Sequence, residues 1–210
     1  MEANEWCAVV HVDIDPFSRL DEIERLLTEF VAAGNRDAGT IQLATLRQDG
    51  RPNHFEMIGR YASEAAYFAH LVTPINLAMR ADIAALLGSP HEDRLHHPRG
   101  EQRWPSAREG DFVAITQVEI QPSALASALS VLDAVAETQS VAEGCRGTVL
   151  LQRHYVPNNL EAISVWSSPE GFDEHLASSA ATRREELAPL LVAPIDDRRY
   201  ELIAGTWATP

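Results

Sequence analysis

Cysteine is scarce in this chain, with two residues in 210, Cys7 and Cys145. They do not suggest a disulfide framework and read instead as small core or loop residues in a reducing, cytoplasmic setting. No apolar run approaches the roughly 20 residues of a membrane-spanning helix. The opening MEANEWCAVVHV has neither the basic n-region nor the long apolar stretch of a secretory signal, so none is expected. Basic residues are few, 17 Lys and Arg against 31 Asp and Glu, for a formal charge of −14. That field repels nucleic acid and anionic membranes, and neither is expected as a partner. A Gly-rich phosphate loop, a G-x-S-x-G elbow and an HExxH motif are also missing. Nothing therefore points to phosphoryl transfer, serine hydrolysis or zinc peptidase chemistry.

What the chain does have is itself, twice. Trp6 to Pro16 read WCAVVHVDIDP, and Phe112 to Pro122 read FVAITQVEIQP, identical at four of eleven positions without gaps. Phe55 to Leu71 (FEMIGRYASEAAYFAHL) and Leu160 to Leu176 (LEAISVWSSPEGFDEHL) share Glu, Ile, Ser, His and Leu in register, with Tyr61 facing Trp166. A period near 105 residues is too long for a solenoid unit and matches one small domain. The division expected is a first repeat over 1–97, a polar Pro/Gly-punctuated linker over 98–110, and a second repeat over 111–210. About 100 residues each can bury a modest core.

Within each repeat the order of elements is the same. An apolar strand comes first, Cys7 to Ile14 and Phe112 to Ile120, ended by a proline. A helix follows, Phe17 to Ala33 and Ala124 to Glu137, with apolar residues at helical spacing. Two strands joined by a turn come next: Thr40 to Gln48 and His54 to Tyr61 around Asp49-Gly50, then Thr148 to Tyr155 and Leu160 to Trp166. A second helix starts at Ser63 or Ser168, both natural N-caps, and Pro169 suits the first helical position. Pro74 should break the helix of the first repeat. A last strand closes the second repeat over Arg198 to Ile203, and its counterpart at Arg94 to His97 has a poorer pattern. Strand–helix–strand–strand–helix–strand is the split-βαβ, ferredoxin-like order. Helices cover one sheet face only, so the other needs a partner, and the twin repeat can supply it. The fold class expected is α+β, two ferredoxin-like repeats forming an intrachain dimeric α+β barrel.

The residues at the strand ends resemble a known family. Glu161, Trp166, Ser168 and His175 in the second repeat, and Glu56, Tyr61, Ser63 and His70 in the first, form one pattern. An acid leads a strand that ends in an aromatic, a serine caps the next helix, and a histidine follows nine residues after the aromatic. Together with first strands ending E/D-I-x-P, this resembles the antibiotic-biosynthesis monooxygenase branch of the dimeric α+β barrel group. The resemblance implies a pocket inside each unit between sheet and helices. It also implies oxidation of phenols or anthrones by O2 with no metal, flavin or other cofactor. Haem-degrading relatives use a first-strand Asn, but Thr116 and Val10 stand there, so haem cleavage is not expected. The Asn that some quinone-forming members carry before the aromatic is replaced by Ala162 and Met57.

His70 and His175 are the sharpest candidates for chemistry. Each lies three residues after Tyr67 or Phe172, on the same helix face, and a histidine beside an apolar pocket can act as general base. The bland alternative is a ring that fills the core rim. Trp166 and Tyr61 could stack on a flat ligand or simply belong to the core. Arg153, His154 and Tyr155 could edge a pocket or end an exposed strand. The three histidines of His91 to His97 have no spacing that suits a tetrahedral metal site, and no metal is expected. Cys145 is a weak candidate for a reactive thiol. The function expected is a cofactor-independent monooxygenase acting on a small electron-rich aromatic. His175 and Trp166 would be its working residues, with His70 and Tyr61 as equivalents or as a degenerate copy. The alternative is a non-catalytic module holding an apolar ligand or haem. Whole chains of this architecture can also pair again as homodimers.

Overall fold

The computed structural model describes residues 5–15, 19–99 and 104–207. The strand-ending Pro16, the expected helix start at Phe17 and positions 100–103 of the expected linker lie outside them. Two compact units emerge. Among the described residues the first takes those up to His97, together with 108–110 and Tyr200–Trp207. The second takes Asp111–Arg199 and the described part of Pro98–Ala107.

The first unit contains β1 (Trp6–Asp13), α1 (Leu20–Gly34), β2 (Thr40–Gln48), β3 (His54–Tyr61), α2 (Glu64–Leu71), α3 (Pro74–Ala84) and β4 (Glu92–Pro98). All its strand pairs are antiparallel, β1 with β3 and β4, and β2 with β3. The resulting order β4-β1-β3-β2 is the ferredoxin-like arrangement read from the sequence. α1 buries Ile23, Leu27, Phe30 and Val31, a stripe at helical spacing laid on the sheet. Ser63 caps α2 by accepting from the Ala66 N–H. Pro74 does split the helical segment, because α2 stops at Leu71 and α3 restarts with Pro74 in its first turn. The strand with the poor pattern, β4, is a full seven residues. Its ladder with β1, from Cys7↔His96 to His11↔Glu92, needs only backbone groups, so polar side chains did not prevent it.

The second unit contains β5 (Phe112–Glu119), α4 (Leu125–Ser140), β6 (Cys145–Arg153), β7 (Asn159–Trp166), α5 (Pro169–Thr182) and β8 (Asp196–Ala204). Here β7 pairs with both β5 and β6, again antiparallel. Ser168 caps α5 by accepting from the Gly171 N–H. The last residues of β8 pair with β2, Gln48↔Tyr200 and Arg47↔Glu201 among them, and belong to the first unit. By hydrogen-bonded neighbours the strand order in the first unit is β4-β1-β3-β2, with the last residues of β8 beside β2, and in the second β8-β5-β7-β6. The fold is therefore α+β, with two ferredoxin-like repeats.

Details too small to see in the sequence recur in both units. Asn53 Nδ2 donates to the Ile14 carbonyl at 3.0 Å, and Asn158 Nδ2 donates to the Ile120 carbonyl at 3.1 Å. A register shift falls between Thr40 and Gln42 on β2 and between Cys145 and Gly147 on β6. Gly39 and Gly144, each just before the second strand, take φ of +83° and +79°, where a side chain would be strained. Trp104, inside the stretch expected to be a polar linker, is buried. No helix among the described residues is long and apolar enough to cross a membrane.

Candidate functional site

Each unit has a cleft between its sheet and its helices. In the first it spans about 460 Å³ of space, part of it open solvent, and is lined by apolar residues of β1, α1 and β3, with Tyr61, Tyr67 and His70 among them. In the second it spans about 470 Å³, again partly open solvent, and His175 and Phe172 line it with Leu132, Leu150 and Leu187.

The two histidines occupy matching seats. His70 lies 5.3 Å, ring centre to ring centre, from Tyr61, and His175 lies 5.4 Å from Trp166. Three residues earlier, Tyr67 meets Tyr61 at 5.3 Å and Phe172 meets Trp166 at 5.7 Å. The helical spacing brings the aromatic and the histidine to one face, and the strand end supplies the ring they meet. Both histidines are buried.

The strand-end aromatics are held differently. Trp166 is fully buried, does not border the cleft, and donates its indole N–H to Ser164 Oγ at 2.8 Å. It backs His175 rather than facing a ligand. Tyr61 does border its cleft, and its ring lies across Gly59, the counterpart of Ser164. A Cβ on Gly59 would stand 2.5 Å from the Tyr61 hydroxyl oxygen. Burial first, and then the neighbouring Tyr67, push the Tyr61 phenol far above its ordinary pKa, so it stays protonated.

Polar groups ring each cleft unequally. In the first unit Asp37 Oδ2 is 2.8 Å from His70 Nδ1. Arg80 donates to Asp93 at 2.8 Å and to Asn76 at 2.6 Å and also meets His91, while Tyr67 donates its hydroxyl to Asp93 at 3.2 Å. In the second unit Arg183 pairs with Asp197 at 2.7 Å, and Thr116 donates to the same carboxylate at 2.6 Å. Burial lowers the pKa of His175, and Arg183 lowers it further against a smaller opposing pull from Asp197. His175 is therefore a neutral imidazole at neutral pH, the form that can accept a proton.

The two histidines and two aromatics named from the sequence lie together as one pair in each unit. Asp37, Arg80 and Asp93 were not among them: Asp37 reaches His70 across 33 residues, Arg80 comes from α3, and Asp93 from a strand whose pattern looked weak. Their only signal was charge next to apolar segments. Of the other candidates, His91 borders the first cleft beside Arg80, and those that follow stand apart from the clefts. Tyr155 is exposed, and its ring meets His154. His96 Nδ1 lies 3.0 Å from the Arg94 carbonyl, and His97 packs edge-on against Trp6. No group of three or more His, Cys, Asp or Glu gathers as a metal site among the described residues. Burial raises the pKa of the Cys145 thiol, which makes it less reactive rather than more.

Comparison with known proteins agrees with this geometry. Residues 111–184 match the family model for antibiotic biosynthesis monooxygenase. A protein of Fusobacterium nucleatum proposed to be a monooxygenase covers 100% of this chain, and 97% of its own, with a TM-score of 0.82 at 11% identity. One of Lactobacillus acidophilus, also proposed to be a monooxygenase, covers 98% and 96% with a TM-score of 0.77 at 14% identity. An anthrone oxidase-like protein covers 97% and 93% with a TM-score of 0.74 at 11% identity. At such identities these structures show the shared fold. No curated protein matches the chain. Residues 111–184 thus resemble the antibiotic biosynthesis monooxygenase domain, and the first half of the chain repeats the fold of the second.

Proposed function

We propose that this protein is a cofactor-independent monooxygenase that oxidises a small, flat, electron-rich aromatic with O2. The observation that carries the reading is the buried histidine, seated against a strand-end aromatic, at the edge of an apolar cleft in each unit. The family match and the fold shared with an anthrone oxidase-like protein support it.

Taking an anthrone as the type substrate, the step balances without an added reductant. The histidine takes a proton from the acidic methylene, and the electron pair stays on the ring system. The carbanion passes one electron to O2, and the resulting radical and superoxide combine as a peroxide. Loss of water gives the ketone. The carbon gives up four electrons, O2 accepts four, one oxygen atom enters the product and the other leaves as water. The protein provides the base and a water-poor cavity that protects the peroxide. His175 and His70 are the bases in this reading, and Trp166 and Tyr61 fix their rings. Both cysteines are free, which suits a reducing, cytoplasmic compartment.

The test is incubation of chelator-treated protein with anthrone, in air and under argon. Ketone formed only in air, with one O2 taken up per molecule oxidised, supports the reading. Identical products in both atmospheres overturn it, and binding without O2 uptake assigns the clefts a holding role instead.

A further inference from the structure

The two histidines share a seat but not a partner. Asp37 Oδ2 lies 2.8 Å from His70 Nδ1. The position 105 residues on from Asp37 is Ala142, and no hydrogen bond reaches the His175 ring among the described residues. Asp37 is itself held in the turn after α1. Its N–H donates to the Gly34 carbonyl at 3.0 Å, and its own carbonyl accepts from Thr40 at 3.1 Å. The carboxylate is therefore presented by fixed backbone rather than by a free loop.

We infer that Asp37 is the positioning residue for His70, and that the first unit's cleft, outside the stretch matching the family model, is where a ligand's acidic proton is taken. The location of the reaction rests on the monooxygenase reading, whereas the positioning stands on geometry alone. A carboxylate oxygen facing Nδ1 accepts its hydrogen, so in its neutral form the His70 ring carries its hydrogen on Nδ1. The lone pair then sits on Nε2, which has no hydrogen-bond partner among the described residues, and the ring borders the cleft.

The ring has no freedom to turn away. Phe30 lies 5.6 Å from it and Tyr61 5.3 Å. Gly34 comes so close that an added Cβ would stand 3.2 Å from its Cε1. In the transfer, the O–H or C–H bond of the ligand breaks, the proton goes to Nε2, and the electron pair stays on the ligand. The imidazolium formed keeps its Nδ1–H on Asp37, which takes no proton. In the second unit the charged neighbour of His175 includes the Arg183 guanidinium, which opposes a cation there.

The experiment is NMR of the ring nitrogens in the full 15N-labelled chain, for wild type, Asp37→Asn and Asp37→Glu. It is run without ligand and then with 2-naphthol, a flat aromatic with one acidic O–H. Wild type should show His70 as one tautomer, with hydrogen on Nδ1, and naphthol should shift its Nε2 resonance. Asp37→Asn should populate the other tautomer, blunt the naphthol shift and slow anthrone oxidation by about 10-fold or more. Asp37→Glu should recover part of each. An unchanged tautomer in Asp37→Asn, or anthrone turnover at the wild-type rate, overturns the inference. If wild type leaves anthrone untouched while the Asp37-dependent tautomer and naphthol shift persist, the oxygen reaction is refuted and the positioning stands.

Discussion

Gly59→Ala should disturb the first unit more than a single methyl in a strand ordinarily would. The added Cβ would lie 2.5 Å from the Tyr61 hydroxyl oxygen, 2.8 Å from its Cε2 and 2.9 Å from Leu43 Cδ2. Carbon contacts are comfortable only from about 3.5 Å. Tyr61 cannot swing clear, because it is buried against Tyr67 and His70. Overpacking of this kind typically destabilises by about 1–3 kcal/mol. The geometry also ranks the contacts. Tyr61→Phe deletes the nearest atom but leaves the other two, so the double variant should regain only part of the loss, with a coupling of about 1 kcal/mol. Urea unfolding followed by circular dichroism measures all three variants. The reasoning fails if Gly59→Ala stays within about 0.5 kcal/mol of wild type, the scatter expected of an innocuous site. It also fails if the loss is undiminished in the Tyr61→Phe background.

Two further outcomes follow from the same contacts. Folded His175 has a pKa below the ordinary 6.5, so below that pH the unfolded chain binds more protons than the folded one. Stability should be full above about pH 6.5 and fall with acid from there down to the folded pKa, and His175→Gln should flatten that slope when unfolding is repeated across the range. Asn53→Ala and Asn158→Ala each remove one hydrogen bond to a buried strand end, Ile14 or Ile120. Each should destabilise by about 1–2 kcal/mol in urea titrations, and by similar amounts, because the two contacts are copies.

The sequence displayed the fold because its signals were local or periodic. The 105-residue offset placed His70 against His175 and Tyr61 against Trp166, and the serine caps and Pro74 marked helix ends. What stayed hidden depends on which atoms meet across the fold. Gly59 and Ser164 are one position with opposite tasks, room for a tyrosine ring in one unit and an acceptor for an indole N–H in the other. A strand glycine and a strand serine give no hint of either. Asp37 reads as a surface turn residue until α2 brings His70 over it. The β4 strand looked poor because its side chains are polar, yet its pairing with β1 uses the backbone. The handover of β8 to the first unit's sheet is likewise invisible in a pattern that says only that a strand is present.

One measurement bears most directly on the account, O2 uptake against anthrone consumed, for wild type and for a chain in which His70 and His175 are both replaced by Gln. A ratio of one O2 per anthrone in wild type, lost in a double variant that retains the wild-type circular dichroism spectrum, is the predicted result. Turnover that continues at the wild-type rate without either imidazole would contradict it.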